Sequence, residues 1–261
     1  MTDPQIRFDD GAAYERIMGV WSQLAGEQFL DWLAPAAKQR WIDVGCGNGA
    51  FTELIVQRCA PAEVDGVDPS EGQLAFARKR PASRIARFKQ GDAMALPYAE
   101  KSFDVATMAL VIFFVPDPAR GVAEMARVVR TGGSVAAYAW DMHGGGFPWD
   151  PVQSELRMLG QKIVYPPSVD ASRIDTMRQL WTDAGMTDVE TREITVQRTF
   201  ADFDEFASIS LTTPSIGPIV RAMSPGDVDR LKTRLRERLP VDTNGRITYS
   251  ARANAVKGIR K

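Results

Sequence analysis

The chain has 261 residues, with 32 lysines and arginines against 33 acidic residues, and a single histidine. That length supplies one sizeable core, and the near-zero charge balance offers no basic patch for nucleic acid. One histidine, two cysteines too poorly placed to pair, a polar N-terminus and a longest apolar run of only Val105 to Val115 together argue against a metal site, a disulfide framework, a secretory leader and membrane insertion, so a soluble cytoplasmic protein is expected.

An amphipathic segment opens the chain, with Tyr14, Ile17, Met18, Trp21 and Leu24 at helical spacing. Trp41-Ile42-Asp43-Val44 then reads as a short apolar strand with an embedded acid, running into Gly45, Gly47 and Gly49. An amphipathic helix over 49–59 follows, with Phe51, Leu54, Ile55 and Cys59 on one face. Strand, glycine loop and free helical N–H groups make a nucleotide-sized cradle at a strand's carboxyl end. Taken alone the glycines also satisfy a loose G-x-G-x-x-A dinucleotide fingerprint, with Ala50 in the last place. A second strand, 63–68, ends in Asp68, 23 residues beyond Gly45, where an acid can accept from ribose hydroxyls. Ser70 and Gln73 form a capping box at the start of a helix over 71–80. A third strand over 84–90 ends at Gly91-Asp92-Ala93, and a fourth over 103–110 enters the apolar run Val105 to Val115, which reads as a strand buried on both faces. A helix over 118–129 and a fifth strand over 133–140 complete a run of βαβ units.

Beyond the fifth strand lies the loop Trp140-Asp141-Met142-His143-Gly144-Gly145-Gly146-Phe147. A helix over 172–184 and a β-branched strand over 187–197 come next. Segment 200–245 reads as mostly helical, with its clearest start at Ser224-Pro225 and a stripe of Val228, Leu231, Leu235 and Leu239. The basic residues beside that stripe read as a solvated face. A last strand over 246–257 closes the chain.

The blocks Asp43-x-Gly45-x-Gly47-x-Gly49, Asp68-x-Ser70, Gly91-Asp92-Ala93, Leu96-Pro97, Phe103-Asp104 and Arg127-x-x-Arg130-x-Gly132-Gly133 stand in that order over roughly residues 40–140. In them the chain resembles the class I S-adenosylmethionine-dependent methyltransferases, closest to the small-molecule branch that includes the ubiquinone and menaquinone biosynthesis enzymes. The resemblance implies a doubly wound, Rossmann-like α/β fold: a mostly parallel seven-stranded sheet with the last strand antiparallel. It also implies one methyltransferase domain over 1–261, built from a helical cover (1–38), a cofactor-binding core (39–141), a loop, helix and sixth strand (142–198), a helical lid insertion (199–245), and the last strand with its tail (246–261).

S-adenosyl-L-methionine is then the expected cofactor. The resemblance sets Asp43 and Gly45 at its methionine end, Gln73 against the adenosine, Asp92 and Ala93 at the adenine edge, and Met108 and Ala109 beside the methionine moiety. Cys46, Asn48, Pro69 and Met94 join this set by position. Tyr14 and Trp21 match a helix that lies over the cofactor in related enzymes. Phe113 and Phe114 stand where many relatives carry a histidine base, which implies an apolar acceptor pocket with Phe113 and Trp140 as substrate residues. His143 and Asp141, beyond the fifth strand, are the candidates for a catalytic base. The expected reaction is methyl transfer to a small, fairly apolar acceptor, with oxygen favoured as the methylated atom. A nicotinamide-dependent dehydrogenase and a cofactor-binding partner without methyl transfer are the rival readings; the sequence leaves the acceptor and the oligomeric state open.

Overall fold

The computed structural model describes residues 15–261, with side chains from residue 17 onward. Tyr14 therefore lies outside the described residues. Seven strands form one sheet: β1 (Arg40–Val44), β2 (Glu63–Asp68), β3 (Ala86–Gln90), β4 (Phe103–Ala109), β5 (Val129–Trp140), β6 (Met186–Phe200) and β7 (Ile247–Arg260). Their order is β3-β2-β1-β4-β5-β7-β6, parallel from β3 to β5, with β7 antiparallel to both neighbours. The expected seven-stranded sheet with an antiparallel last strand is thus the observed one.

Parallel strands buried on both faces need apolar side chains throughout. Trp41, Ile42 and Val44 in β1 and Val105, Ala106 and Met108 in β4 meet that need and are fully buried. The helices α1 (Val20–Leu33), α2 (Ala50–Cys59), α3 (Glu71–Ala77) and α4 (Pro118–Val128) cover the sheet, α1 following a π-helical turn at Glu15–Gly19. Ser70 caps α3 by accepting from the Gln73 N–H, as its position predicts, and Asp117 caps α4 ahead of Pro118.

Two of the sequence blocks hold the frame together. The Arg127 guanidinium donates to the carbonyls of Leu96 (3.0 Å) and Tyr98 (2.8 Å), fixing the turn after β3. Asp104 accepts from the Arg40 N–H (2.7 Å) and from Arg130 (2.6 Å), tying together the starts of β1, β4 and β5.

The C-terminal half departs from expectation in one element. Helix α5 (Asp150–Met158) occupies a stretch that reads as part of a loop. Its proline at the first turn and its buried Val152 and Leu156 are the signals for it, masked by the glycines just upstream. Helix α6 (Ile174–Asp183) precedes β6, and α7 (Phe203–Ser210), α8 (Gly217–Ala222) and α9 (Pro225–Arg238) lie between β6 and β7. The carboxylate of Glu155 on α5, 1% exposed, accepts from Arg234 at 2.5 Å and also pairs with Arg238, both on α9.

Candidate functional site

After β1 the chain neighbours β2 on one side and β4 on the other, so a crevice opens at the carboxyl ends of the strands. The glycine loop forms its floor. The N–H groups of Gly45 and Cys46 both donate to the Val67 carbonyl, at 2.7 and 3.0 Å, which holds the loop against the end of β2. Gly45 has φ +75°, and a Cβ there would lie 2.5 Å from Val111 Cγ1, so only glycine lets the turn after β4 pack on the loop. Gly47 differs. Its φ is +52° and nothing lies within 4 Å of an added Cβ, so a side chain there would stand in the cavity itself.

That cavity has a volume of about 590 Å³, well within the range of small-molecule sites. Of the cofactor positions expected from sequence, Asp43, Gly45, Cys46, Gly47, Asn48, Asp68, Pro69, Ser70, Gln73, Asp92, Ala93 and Ala109 line it. They come from four strand ends, which is why they are scattered along the chain.

Asp43 is fully buried. Its Oδ2 accepts from the Thr52 hydroxyl at 2.6 Å, while Oδ1 has no hydrogen-bond partner among the described residues. Burial pushes its carboxyl up to about 7; the Thr52 hydrogen bond opposes that rise and the charge of Asp68 adds to it. An orphaned buried acceptor on a cavity wall is costly, and a bound ammonium would relieve it. Asp68 accepts from the N–H of Gly47 (2.9 Å) through one oxygen and from that of Ser70 (2.8 Å) through the other. Burial raises its carboxyl too, against the pull of those two N–H groups. A carboxylate has about four acceptor sites, so two backbone bonds fix its orientation and leave capacity for ligand hydroxyls. Asp92 Oδ1 accepts from the Met94 N–H at 2.8 Å, an Asx turn that holds the end of β3. The Cys46 thiol is pushed well above its ordinary value, by burial first and then by Asp43 and Asp68, and so stays neutral. Together these groups could hold a ligand with a cationic amino-acid end, a vicinal diol and a flat heterocycle.

Five expectations do not reach this cavity. Trp21 is fully buried against Tyr249, ring centroids 5.2 Å apart, because the α1 face turned to the cavity carries Gly19, Ser22 and Gln23 instead. Met108 points the opposite way from Ala109 along β4 and packs under α4 beside Gly121. Met94 contributes its N–H to the Asp92 turn and no wall. Asp141 is bound by Arg252 at 2.5 Å and by the Gly144 N–H at 2.9 Å. His143 pairs with Asp170 at 2.9 Å and stacks on Tyr165. Neither Asp141 nor His143 lines the cavity.

Sequence reasoning missed several wall residues. Arg80 donates to the Asn48 carbonyl (2.7 Å) and pairs with Glu53 (2.7 Å), bracing the loop against α2. Leu110 holds φ +61°, a conformation that costs about 1–3 kcal/mol outside glycine. Its only sequence signal is its place at the end of a buried strand.

Leu110 and Phe114 also line a second, smaller cavity of about 60 Å³. Phe113, Trp140, Phe147, Trp149, Gln153 and the loop Thr213-Pro214-Ser215 close around it. The structure therefore brings Phe113 and Trp140 together, as the sequence reading expects, and sets them one residue layer from the main cavity.

Residues 42–137 match the family described as a methyltransferase domain. Over 147 residues the chain is 33% identical to the ubiquinone/menaquinone biosynthesis C-methyltransferase UbiE of Roseobacter denitrificans, covering 48% of this chain and 58% of that one. It is 38% identical over 101 residues to the demethylmenaquinone methyltransferase of Desulfitobacterium hafniense, covering 37% and 40%. The chain thus spans about half the length of the curated relatives it matches. In fold it is similar to Haemonchus contortus phosphoethanolamine N-methyltransferase 2, solved with S-adenosylhomocysteine: TM-score 0.60 at 18% identity, over 99% of this chain and 59% of that one.

Proposed function

We propose that the chain, whose residues 42–137 match a methyltransferase domain on this seven-stranded sheet, is a class I S-adenosylmethionine-dependent methyltransferase and that it methylates a small, apolar acceptor bound in the second cavity. The observation that carries this reading is the shared wall of Leu110 and Phe114, which sets an apolar pocket directly against the cavity that suits the cofactor.

Bound S-adenosylmethionine supplies an electrophilic methyl carbon on a sulfonium. In the proposed assignment Asp43 and the Gly45–Gly47 turn face the methionine end, Asp68 receives the ribose hydroxyls, and Asp92 with Ala93 meets the adenine. Gly47 leaves room for the ligand backbone. What the protein contributes to rate is alignment, worth up to about 7–11 kcal/mol when both reactants are held in line. Neither Asp141 nor His143 lines either cavity, so among the described residues neither stands as a base at the shared wall. That favours an acceptor atom nucleophilic without one. The relatives' names add weight to carbon over the oxygen expected from sequence.

At 60 Å³ the second cavity holds less than half of the ~150 Å³ that admits benzene. Acceptor entry must therefore displace a wall, and the loop Thr213-Pro214-Ser215 is the irregular wall segment that belongs to the insertion between β6 and β7. In this reading segment 199–245 acts as the lid. The two cysteines are free and buried, which suits a reducing compartment, and among the described residues no helix is long and apolar enough to cross a membrane. The cytoplasm is the proposed site of action.

Two measurements test the proposal. S-adenosylhomocysteine should raise the melting temperature and NAD should not. Incubation with S-adenosylmethionine and a panel of apolar phenols and dienols should yield S-adenosylhomocysteine and a product heavier by one methylene. A response to NAD alone would sink it.

A further inference from the structure

The second cavity is apolar apart from a few groups, and most of these are already engaged. The Trp149 N–H is directed at the Met18 sulfur, 3.1 Å away. The Thr213 hydroxyl accepts from the Ile216 N–H at 3.2 Å, and Ser215 is half exposed at the rim. Two polar groups remain. The indole N–H of Trp140, a residue 2% exposed, has no partner among the described residues. The side chain of Gln153 on α5, 3% exposed, also lines the cavity; its backbone N–H bonds Trp149, but its amide makes no hydrogen bond among the described residues.

Burying an unpaired amide in an apolar wall is unfavourable, and such groups in native structures call for a partner. A core position between Val152 and Leu156 would be filled more favourably by leucine. An amide offers a donor and an acceptor together, and the indole adds a donor. The complementary ligand is an apolar ring or chain bearing one oxygen: a hydroxyl that donates to the Gln153 carbonyl oxygen, or a carbonyl that accepts from its NH₂.

We infer that Gln153 is a specificity-determining residue of the acceptor cavity, selecting apolar acceptors that carry an oxygen substituent over those that lack one. This rests on the reading of the second cavity as the acceptor pocket. A site with a buried polar group to satisfy rejects the analogue that leaves it unpaired far more strongly than an apolar pocket rejects a missing methylene.

The test uses the full chain saturated with S-adenosylhomocysteine and two probes of matched shape, 4-propylphenol and propylbenzene, titrated by calorimetry. Wild type should bind the phenol at least about tenfold more tightly. In Gln153→Leu that preference should fall to about twofold or less, with propylbenzene bound as well as before or better. S-adenosylhomocysteine affinity reports that the variant is folded, and Gln153→Met serves should leucine disturb α5. An unchanged phenol preference in either variant overturns the assignment. Failure of the pocket reading shows differently: propylbenzene would bind neither wild type nor variant, or its binding would be indifferent to Phe113→Ala, and the inference about Gln153 would fall with it.

Discussion

Replacing Asp43 by asparagine should make the protein more stable and less able to bind its cofactor. In the folded state burial raises the Asp43 carboxyl to about 7, from an ordinary value of 3.8. Between those two values the folded state holds a proton that the unfolded state has released. Stability therefore falls as pH rises through that window, and the loss is complete above about pH 7. A rise of that size corresponds to about 4 kcal/mol. Asparagine keeps the hydrogen bond from Thr52 through its carbonyl oxygen and has no charge to bury. The variant's advantage should thus grow from about 2 kcal/mol or less at about pH 5 to about 4 kcal/mol at about pH 8, read by urea denaturation without ligand. In the proposed assignment the same change removes the anion that faces the cofactor's ammonium, so S-adenosylhomocysteine affinity should drop by about 1.5–3 kcal/mol in calorimetry. A stability difference that does not change between the two pH values would mean that Asp43 titrates normally. A stabilised variant with wild-type affinity would place the ammonium elsewhere.

Gly47→Val should abolish S-adenosylhomocysteine binding while circular dichroism shows an intact sheet, since the new side chain meets only cavity space at a left-handed φ; wild-type affinity would put the ligand outside this loop. Asp68→Ala should cost about 1.5–3 kcal/mol of cofactor affinity, and would also free the Gly47 and Ser70 N–H groups; unchanged binding in a folded variant removes Asp68 from the ribose role. Hydrogen exchange in residues 211–217 should slow when S-adenosylhomocysteine and 4-propylphenol bind together. Protection of the glycine loop alone would mean that the acceptor enters by another route.

The parallel half of the fold was legible because its signals are local. Continuous apolar runs, glycines at a strand end and acids just beyond the next strands each report their own backbone geometry, and the order of the blocks fixes the winding. The polar wall of the main cavity followed, since strand ends in this topology converge. Side-chain direction was not legible in the same way. Trp21 and Met108 sit in the right elements but on the wrong faces, and one residue of phase separates Met108 from Ala109. The contacts of Asp141 and His143 join loop residues to Arg252 and Asp170, at long or middling separation, and no local pattern announces them. Helix α5 was hidden by the glycines before it, and Gln153 was hidden with it. Conversely, Asp104 and Arg130, whose blocks helped identify the winding, turn out to brace the strand starts, at the far end of the strands from the cavity.

The carboxylate of Glu155 beneath Arg234 and Arg238 limits how the insertion between β6 and β7 can open. Pulling α9 away from α5 would break both of these ion pairs at once. The long helix is therefore riveted to the body, and α5 carries Gln153 on the same rigid piece. Freedom is left to the short stretch between α7 and α9, anchored at both ends. If the insertion acts as the proposed lid, it is less a hinged door than a flexing eyelid, one whose travel is set by some dozen residues. Sequence change in that stretch could widen or narrow the range of acceptor sizes without touching the stability of the sheet or the grip on the cofactor.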